Sequence, residues 1–209
     1  MRPSPIPGET LMTRFIAIAF VTVAALFHGE AFASPTIDFE SLSHSGGVEF
    51  VSSPYLEDGF AVTSNVGGPT AFGTWGTSST HFAGSTGLYN NIGLITTLSR
   101  TDSASFSVES IDLSNLFNSV SVNPRLIVTF VGTHSDSSTV THLVDVPRFF
   151  GFQTFALPGF EDIVSMSWDQ SAFESVPHQF DNIGIVPEPA SVLMLALGVI
   201  LTTYFRFRR

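Results

Sequence analysis

Hydrophobic and polar residues alternate along most of the chain between residues 34 and 185. In the segment RLIVTFVGTH, Leu126, Val128 and Phe130 fall on one face, and the residues between them fall on the other. Because successive side chains of a strand point to opposite sides, this pattern predicts β-strands with one buried face. The segment ASFSVESIDL changes phase between Val108 and Ile111, which predicts a bulge or a bend.

The other segments of this region repeat the pattern at short spacing, and Gly, Pro, Asn, Asp and Ser separate them. The sequence HSDSS at residues 134–138 is typical of a hairpin turn between two strands. No stretch here has the period of a long amphipathic helix. We therefore predict an all-β fold, an antiparallel β-sandwich of jelly-roll type. Residues 63–87 are rich in Gly, Ser and Thr and predict long loops with short strands.

An uncharged apolar run occupies residues 15–27, directly after Arg14. It is followed by Ala31-Phe32-Ala33, which fits the small-x-small rule for signal-peptide cleavage. We predict a signal helix and a signal peptide over residues 1–33, with cleavage after Ala33. The proline-rich residues before Met12 suit no part of such a signal, so we interpret Met12 as the true start. The alternative, an N-terminal membrane anchor, is disfavoured by the short length of the run.

A second uncharged run, residues 190–205, lies close to the C-terminus. As a helix it is roughly 24 Å long, somewhat less than the roughly 30 Å hydrocarbon core of a bilayer. It therefore predicts a marginal transmembrane helix. The arginines that follow it place the C-terminus on the cytoplasmic side and the preceding domain outside the cytoplasm. The residues that flank this helix are Pro187, Glu188, Pro189, Arg206, Arg208 and Arg209.

Residues 186–209 resemble the PEP-CTERM sorting signal of Gram-negative bacteria that secrete exopolysaccharide. The resemblance rests on the order of Pro187-Glu188-Pro189, an uncharged span, an arginine cluster and the chain terminus. It implies recognition by exosortase, a membrane-embedded transpeptidase, as the processing partner. It also implies an inner-membrane-tethered precursor that faces the periplasm and is later passed to the cell surface or the extracellular space. The alternative is an ordinary C-terminal anchor.

The middle of the chain carries a second resemblance. The segments IDFE, GFAVTS, FSVESIDLS, VTFVGTH and HQFDNIGI occur in an order similar to that of the sandwich domain of many exported PEP-CTERM proteins of unknown role. The resemblance implies a sandwich similar to a carbohydrate-binding module, without an activity to carry over. The predicted domains are thus a signal peptide over 1–33, an exported β-sandwich over 34–185 and a sorting signal over 186–209.

The exported region is strongly acidic. Residues 34–186 contain 15 acidic residues and three arginines, with no lysine, so their net charge is near −12. This net charge argues against nucleic acid and anionic lipid surfaces as partners. We therefore expect the protein to contact the membrane only through its C-terminal helix, before processing. The net charge favours solubility outside the cell and attraction of divalent cations. The chain has no cysteine, so its stability depends on burial rather than on disulfides.

Three acidic residues are candidate ligands for a structural calcium ion. Asp38 and Glu40 flank Phe39 in the first predicted strand, and Asp181 lies among core-facing residues of the last. In jelly-roll modules the first and last strands often meet, and calcium prefers carboxylate and carbonyl oxygens. A buried acid is costly unless it is paired or bound to metal. The alternative is that Asp181 bonds backbone amides through an Asx motif near Asn182.

Aromatic residues provide candidates for ligand binding. Tyr55, Trp75 and Tyr89 lie in or beside the Gly/Ser-rich segments, where an exposed ring can stack on the apolar face of a sugar. Trp168 alternates with Val164 and Met166, which indicates a core position. The histidines show no metal-ligand spacing, and no GxSxG or HExxH motif occurs.

The sequence therefore predicts location rather than reaction. Our first interpretation is a non-catalytic protein of the cell surface or extracellular matrix that is sorted by exosortase and binds or organises exopolysaccharide. The second is a secreted or surface-anchored carbohydrate-active hydrolase on the same sandwich. The third is a permanent inner-membrane protein with a periplasmic β-domain. A shallow aromatic patch favours the first, whereas a cleft with facing carboxylates favours the second.

Overall fold

The structure is a computed structural model that describes residues 35–119, 125–170 and 177–186. The predicted signal peptide with Ala31 and Ala33, the Met12 start, and the sorting residues 187–209 lie outside the described residues. Within the described part, no helix combines the length and apolar character needed to cross a bilayer. The predicted strands fall almost entirely inside it.

The described residues form thirteen strands and one 3₁₀ turn, Glu40–Leu42. The strands are β1 Thr36–Ile37, β2 Val48–Ser53, β3 Tyr55–Glu57, β4 Phe60–Ser64, β5 Gly68–Trp75, β6 Leu88–Asn90, β7 Ile95–Arg100, β8 Ser107–Asn115, β9 Leu126–His134, β10 Thr139–Val146, β11 Gln153–Ala156, β12 Ile163–Asp169 and β13 His178–Val186.

The strands form two antiparallel sheets. The first sheet has the order β11-β8-β13-β6-β5-β2, and β1 pairs with β13 at its side. The second sheet has the order β10-β9-β12-β7-β4-β3. The prediction of an all-β antiparallel sandwich is confirmed. As predicted, β1 and β13, the first and last strands, meet.

The core lies between the inner faces of the two sheets. Trp168 of β12 contacts Phe180 of β13 edge to face, with ring centroids 5.0 Å apart, and Phe130 of β9 at 5.7 Å. All three side chains are fully buried, and Trp168 is 1% exposed. The predicted core position of Trp168 is confirmed. The predicted faces of β9 are confirmed too, because Val128 is fully buried while Ile127 is 59% exposed.

A chain of buried polar side chains links the two sheets at one end. The Asn90 amide of β6 donates to the Thr96 hydroxyl of β7 at 3.1 Å, and that hydroxyl donates to Gln170 Oε1 at 2.9 Å. The Gln170 amide donates in turn to the carbonyl of His178 at 2.7 Å. Because each buried group has a partner, the network fixes the relative position of the strands without a large desolvation cost.

The predicted bulge occurs where β8 pairs with β13. Asp112 is opposite Asp181 and Ser110 is opposite Gly184, so β13 carries one extra residue. A second shift follows at Val108, and together they explain why Val108 and Ile111 both face the core. The HSDSS turn is confirmed, since it joins β9 to β10. Residues 63–87 are more ordered than predicted, because residues 68–75 form the eight-residue strand β5.

Candidate functional site

The outer face of the first sheet carries an apolar strip near its edge. Phe50 of the edge strand β2 is opposite Gly73 of β5, which is opposite Tyr89 of β6. Val48 is likewise opposite Trp75. Directly opposed residues project to the same side of a sheet, so these side chains share one face. It is the outer face, since their neighbours along the strands belong to the core.

Gly73 makes room for the ring of Tyr89. A Cβ atom added to Gly73 would lie 2.4 Å from the Tyr89 hydroxyl oxygen and 2.4 Å from Cζ. The Tyr89 ring therefore lies across the β5 backbone and extends toward β2. Burial of this ring leaves Tyr89 5% exposed and raises the pKa of its hydroxyl to about 12. The phenol is thus neutral across physiological pH.

Four rings form what we term the aromatic cluster: Trp75, His81, Tyr89 and Phe117. Trp75 stacks on Tyr89 with centroids 5.6 Å apart and planes inclined by 23°. His81 meets Trp75 at 4.9 Å and Phe117 at 5.2 Å, both nearly edge to face. These distances fall within the range of favourable aromatic pairs, each contributing about 0.5–1.5 kcal/mol beyond area burial. The cluster is therefore a mutually supported group of rings.

The loop formed by residues 76–87 holds His81 in the cluster. Its first residues bond to the turn before β2, through Gly76 N–H to the Gly47 carbonyl at 3.0 Å and Thr77 N–H to the His44 carbonyl at 2.9 Å. The His81 carbonyl accepts from the Gln179 amide at 3.1 Å. His81 Nδ1 accepts from the Asn118 N–H at 3.1 Å, so its ring plane is fixed as well.

Apolar surface beside the cluster is open to solvent. Phe50 is 52% exposed and Val48 is 40% exposed, although both lie on an edge strand, where exposed apolar residues favour unwanted pairing. Trp75 is half-buried, and its indole Nε1 is buried with no hydrogen-bond partner among the described residues. The part of the Trp75 side chain that solvent reaches is therefore hydrocarbon. The strip therefore offers the exposed parts of Phe50, Val48 and Trp75 to an apolar partner.

Tyr55, the third predicted aromatic ligand, lies elsewhere. It belongs to β3 of the second sheet and packs on Phe39 with centroids 5.6 Å apart. Its hydroxyl donates to Glu57 Oε2 at 2.8 Å and lies 2.9 Å from Ser41 Oγ. Burial is the main cause that raises its pKa to about 12. The structure thus joins Trp75 and Tyr89 and separates Tyr55, which instead packs on the segment that follows β1.

Asp181 is fully buried in the bulge of β13. Its Oδ1 accepts from the Asn182 N–H at 2.8 Å, and its Oδ2 accepts from the Ser85 hydroxyl. The bond to the Asn182 amide corresponds to the predicted alternative, in a bulge rather than a turn. Burial raises the pKa of Asp181 to about 7, and the charges of Glu40 and Asp112 act in the same direction.

The other two predicted calcium ligands belong to different networks. Glu40 accepts from the backbone N–H and the hydroxyl of Thr86, both at 3.1 Å. Asp38 lies beside Glu57, whose carboxylate accepts from the Asp38 and Phe39 N–H groups at 3.3 Å. Within the described residues, no group of three or more His, Cys, Asp or Glu side chains is arranged to hold a metal ion. Calcium binding stays a prediction.

Two members of the cluster were not recognised from the sequence. His81 lies in the loop at residues 76–87. Phe117 follows β8, 42 residues after Trp75 and 28 residues after Tyr89. Neither has a local motif, because Phe117 reaches Trp75 only after β8 and β5 occupy the same sheet. Gly73 had a usable signal: a glycine in the middle of an apolar strand indicates close approach of another group.

Residues 186–209 match the PEP-CTERM protein-sorting motif. The chain therefore carries this sorting motif at its C-terminus, as the resemblance in the sequence indicated. No curated protein matches the chain.

Among solved structures, a variant of CBM29-2 from a study of ligand recognition by family 29 carbohydrate-binding modules is similar to this chain. The TM-score is 0.36 at 12% identity, covering 66% of this chain and 88% of that one. A family 29 carbohydrate-binding module gives a TM-score of 0.36 at 11% identity, covering 67% of this chain and 85% of that one. At this level the similarity assigns neither ligand nor activity to this chain.

Proposed function

We propose that this chain is a non-catalytic exported protein of the cell surface or extracellular matrix, sorted by exosortase and binding exopolysaccharide through the outer face of its first sheet. The observation that carries the proposal is the PEP-CTERM sorting motif at residues 186–209. The precursor is tethered to the inner membrane by the C-terminal helix and faces the periplasm. After processing, the β-sandwich reaches the cell surface or the extracellular space.

The aromatic cluster supports binding of a neutral saccharide. Trp75 and Tyr89 form a stacked pair, and the neighbouring Phe50 is 52% exposed. A pyranose ring presents axial C–H groups on a flat face, which pack on such rings without requiring charge. The cluster is held together by ring contacts, which supply apolar surface of this kind.

Sorting is tested by the mass of the mature protein. We expect mass spectrometry of the cell-surface form to show a chain that lacks the arginines after residue 205. Replacement of Pro187-Glu188-Pro189 by three alanines should retain the full-length form in the inner membrane. Replacement of Asp136 by alanine, in the exposed turn between β9 and β10, is the control and should not change sorting. Normal export of the triple-alanine variant, or an intact Arg209 on the surface form, would refute exosortase sorting.

Binding is tested with the full chain on an array of neutral oligosaccharides. Trp75→Ala should lower the affinity for any bound neutral glycan about 30-fold, the size expected when a central aromatic contact of about 2 kcal/mol is lost. Leu143→Ala is the control, since Leu143 is 62% exposed on the other sheet. Equal loss in both variants, or unchanged binding by Trp75→Ala, would exclude the aromatic cluster as the binding surface.

A further inference from the structure

Two of the three arginines between residues 34 and 186 line one pocket. The pocket has a volume of about 460 Å³. It lies at the side of the sandwich formed by β10 and β11, which are edge strands of the two sheets. This volume is within the range of small-molecule sites, roughly 300–1,000 Å³. Its lining consists of Arg125, Asp145, Pro147, Arg148, Gln153 and Phe155.

Part of the Arg125 guanidinium is hydrogen-bonded to Asp145. Its Nε donates to Asp145 Oδ1 at 2.9 Å, and its Nη2 donates to Asp145 Oδ2. A guanidinium group has five N–H donors, so this two-point contact leaves three of them available. Asp145 also holds the plane of the guanidinium, and the contact therefore orients the remaining donors without using them.

Arg148 is exposed and makes no hydrogen bond or ion pair with any described residue. The backbone on both sides of it is nevertheless fixed. The buried Asn115 amide donates to the Pro147 carbonyl at 2.8 Å and to the Phe149 carbonyl at 3.0 Å. A charged side chain on an anchored backbone loses less conformational freedom when it binds than one on a free loop.

The remaining lining combines an apolar ring with an amide. Phe155 packs against the core and is half-buried, and Gln153 lies two residues before it on the same face of β11. Pro147 is exposed. The pocket therefore offers a ring, an amide and two guanidinium groups, a set that suits a polar ligand with an apolar face and a planar anionic group.

The local charge of the pocket is opposite to that of the domain. Arg125, Arg148 and Asp145 give the lining a net charge of +1, whereas residues 34–186 are near −12. At physiological ionic strength the screening length is about 8 Å, so an anion in the pocket interacts mainly with the lining. Asp145 is bonded to Arg125, so the charge of Arg148 is the one in the lining that remains for an anionic ligand.

We infer that this pocket binds the carboxylate group of an acidic saccharide, with Arg148 as its main charged contact and Arg125 and Gln153 as additional donors. The inference rests on the proposed function for its choice of a saccharide. The pocket is a second binding site, at the β10–β11 side of the sandwich, in addition to the neutral-saccharide site proposed at the aromatic cluster. The ligand class is thus a polysaccharide that contains uronate residues.

The test measures binding of the full chain to a galacturonate oligosaccharide and to its methyl ester by calorimetry. Arg148→Gln should lower the affinity for the acid at least about tenfold, as expected for loss of a charge-assisted contact. Arg100→Gln is the matched control, since it removes the same charge from the third arginine, which pairs with Asp102 at 2.7 Å. The wild type should bind the methyl ester as weakly as Arg148→Gln binds the acid.

Equal affinities for acid and ester, or equal losses in the two arginine variants, would overturn the inference. An unchanged unfolding midpoint in Arg148→Gln confirms that the variant is folded. The two proposals fail separately. Loss of neutral-glycan binding in Trp75→Ala with no effect of Arg148→Gln on the acid supports the aromatic cluster alone. The reverse result supports the arginine pocket alone.

Discussion

Asp181 makes the stability of the sandwich depend on pH. Burial raises the pKa of this carboxyl from 3.8 to about 7, with Glu40 and Asp112 acting in the same direction. The unfolded chain releases the proton near pH 4, whereas the folded chain retains it to about pH 7. The folded state therefore binds more protons between these values, and the free energy of unfolding falls as pH rises through this window.

The size of this effect follows from the shift. Each pKa unit corresponds to about 1.36 kcal/mol. A rise in the pKa from 3.8 to about 7 therefore lowers the free energy of unfolding by at most about 4 kcal/mol between pH 4 and pH 8. That is a large part of the roughly 5–15 kcal/mol that stabilises a typical domain. The pKa of Glu57 is also raised, chiefly by burial, and adds a change of the same sign.

Asp181→Asn isolates the contribution of this one carboxyl. The amide has the shape of the protonated acid and does not titrate, so the variant should match the wild type near pH 4. It should be more stable than the wild type at pH 8 by up to about 4 kcal/mol. Urea unfolding from pH 4 to pH 8, followed by the fluorescence of the buried Trp168, measures both curves.

Asp136→Asn is the control for this experiment. Asp136 lies on the surface, and its bonds with Ser138 lower its pKa, so its titration is complete below the window in question. This variant should therefore keep the wild-type slope between pH 5 and pH 7. A wild-type stability that is constant or rises over that range, or an Asp181→Asn variant that retains the full decline, would refute the reasoning.

Three further predictions concern packing. Gly73→Ala places a Cβ atom 2.4 Å from the Tyr89 hydroxyl and should cost about 1–3 kcal/mol in urea unfolding, whereas Gly47→Ala, with no atom within 4 Å, should not. Trp168→Ala should destabilise the fold by about 3–5 kcal/mol in the same assay. Asn115→Ala removes the side-chain amide that donates to the carbonyls of Pro147 and Phe149. Limited proteolysis should then cut the loop at 147–151 faster than in the wild type.

The strand pattern could be predicted from the sequence because side chains of a strand alternate between two faces whatever the strand pairs with. The alternation places Leu126, Val128 and Phe130 on one face of their strand, and in the structure all three are buried. The bulge near Val108 was predicted from a phase change in the same pattern. The C-terminal sorting motif is also local, since its tripeptide, span and arginines are contiguous.

The candidate sites were decided by tertiary structure. Trp75 meets Phe117 because β5 and β8 belong to the same sheet, and Tyr55 is removed from them because β3 belongs to the other. Arg125 and Arg148 share a pocket because β10 returns antiparallel to β9. Alternation reports which side of its own strand a residue occupies. It holds no information on which strands become neighbours, since that depends on long-range pairing and register.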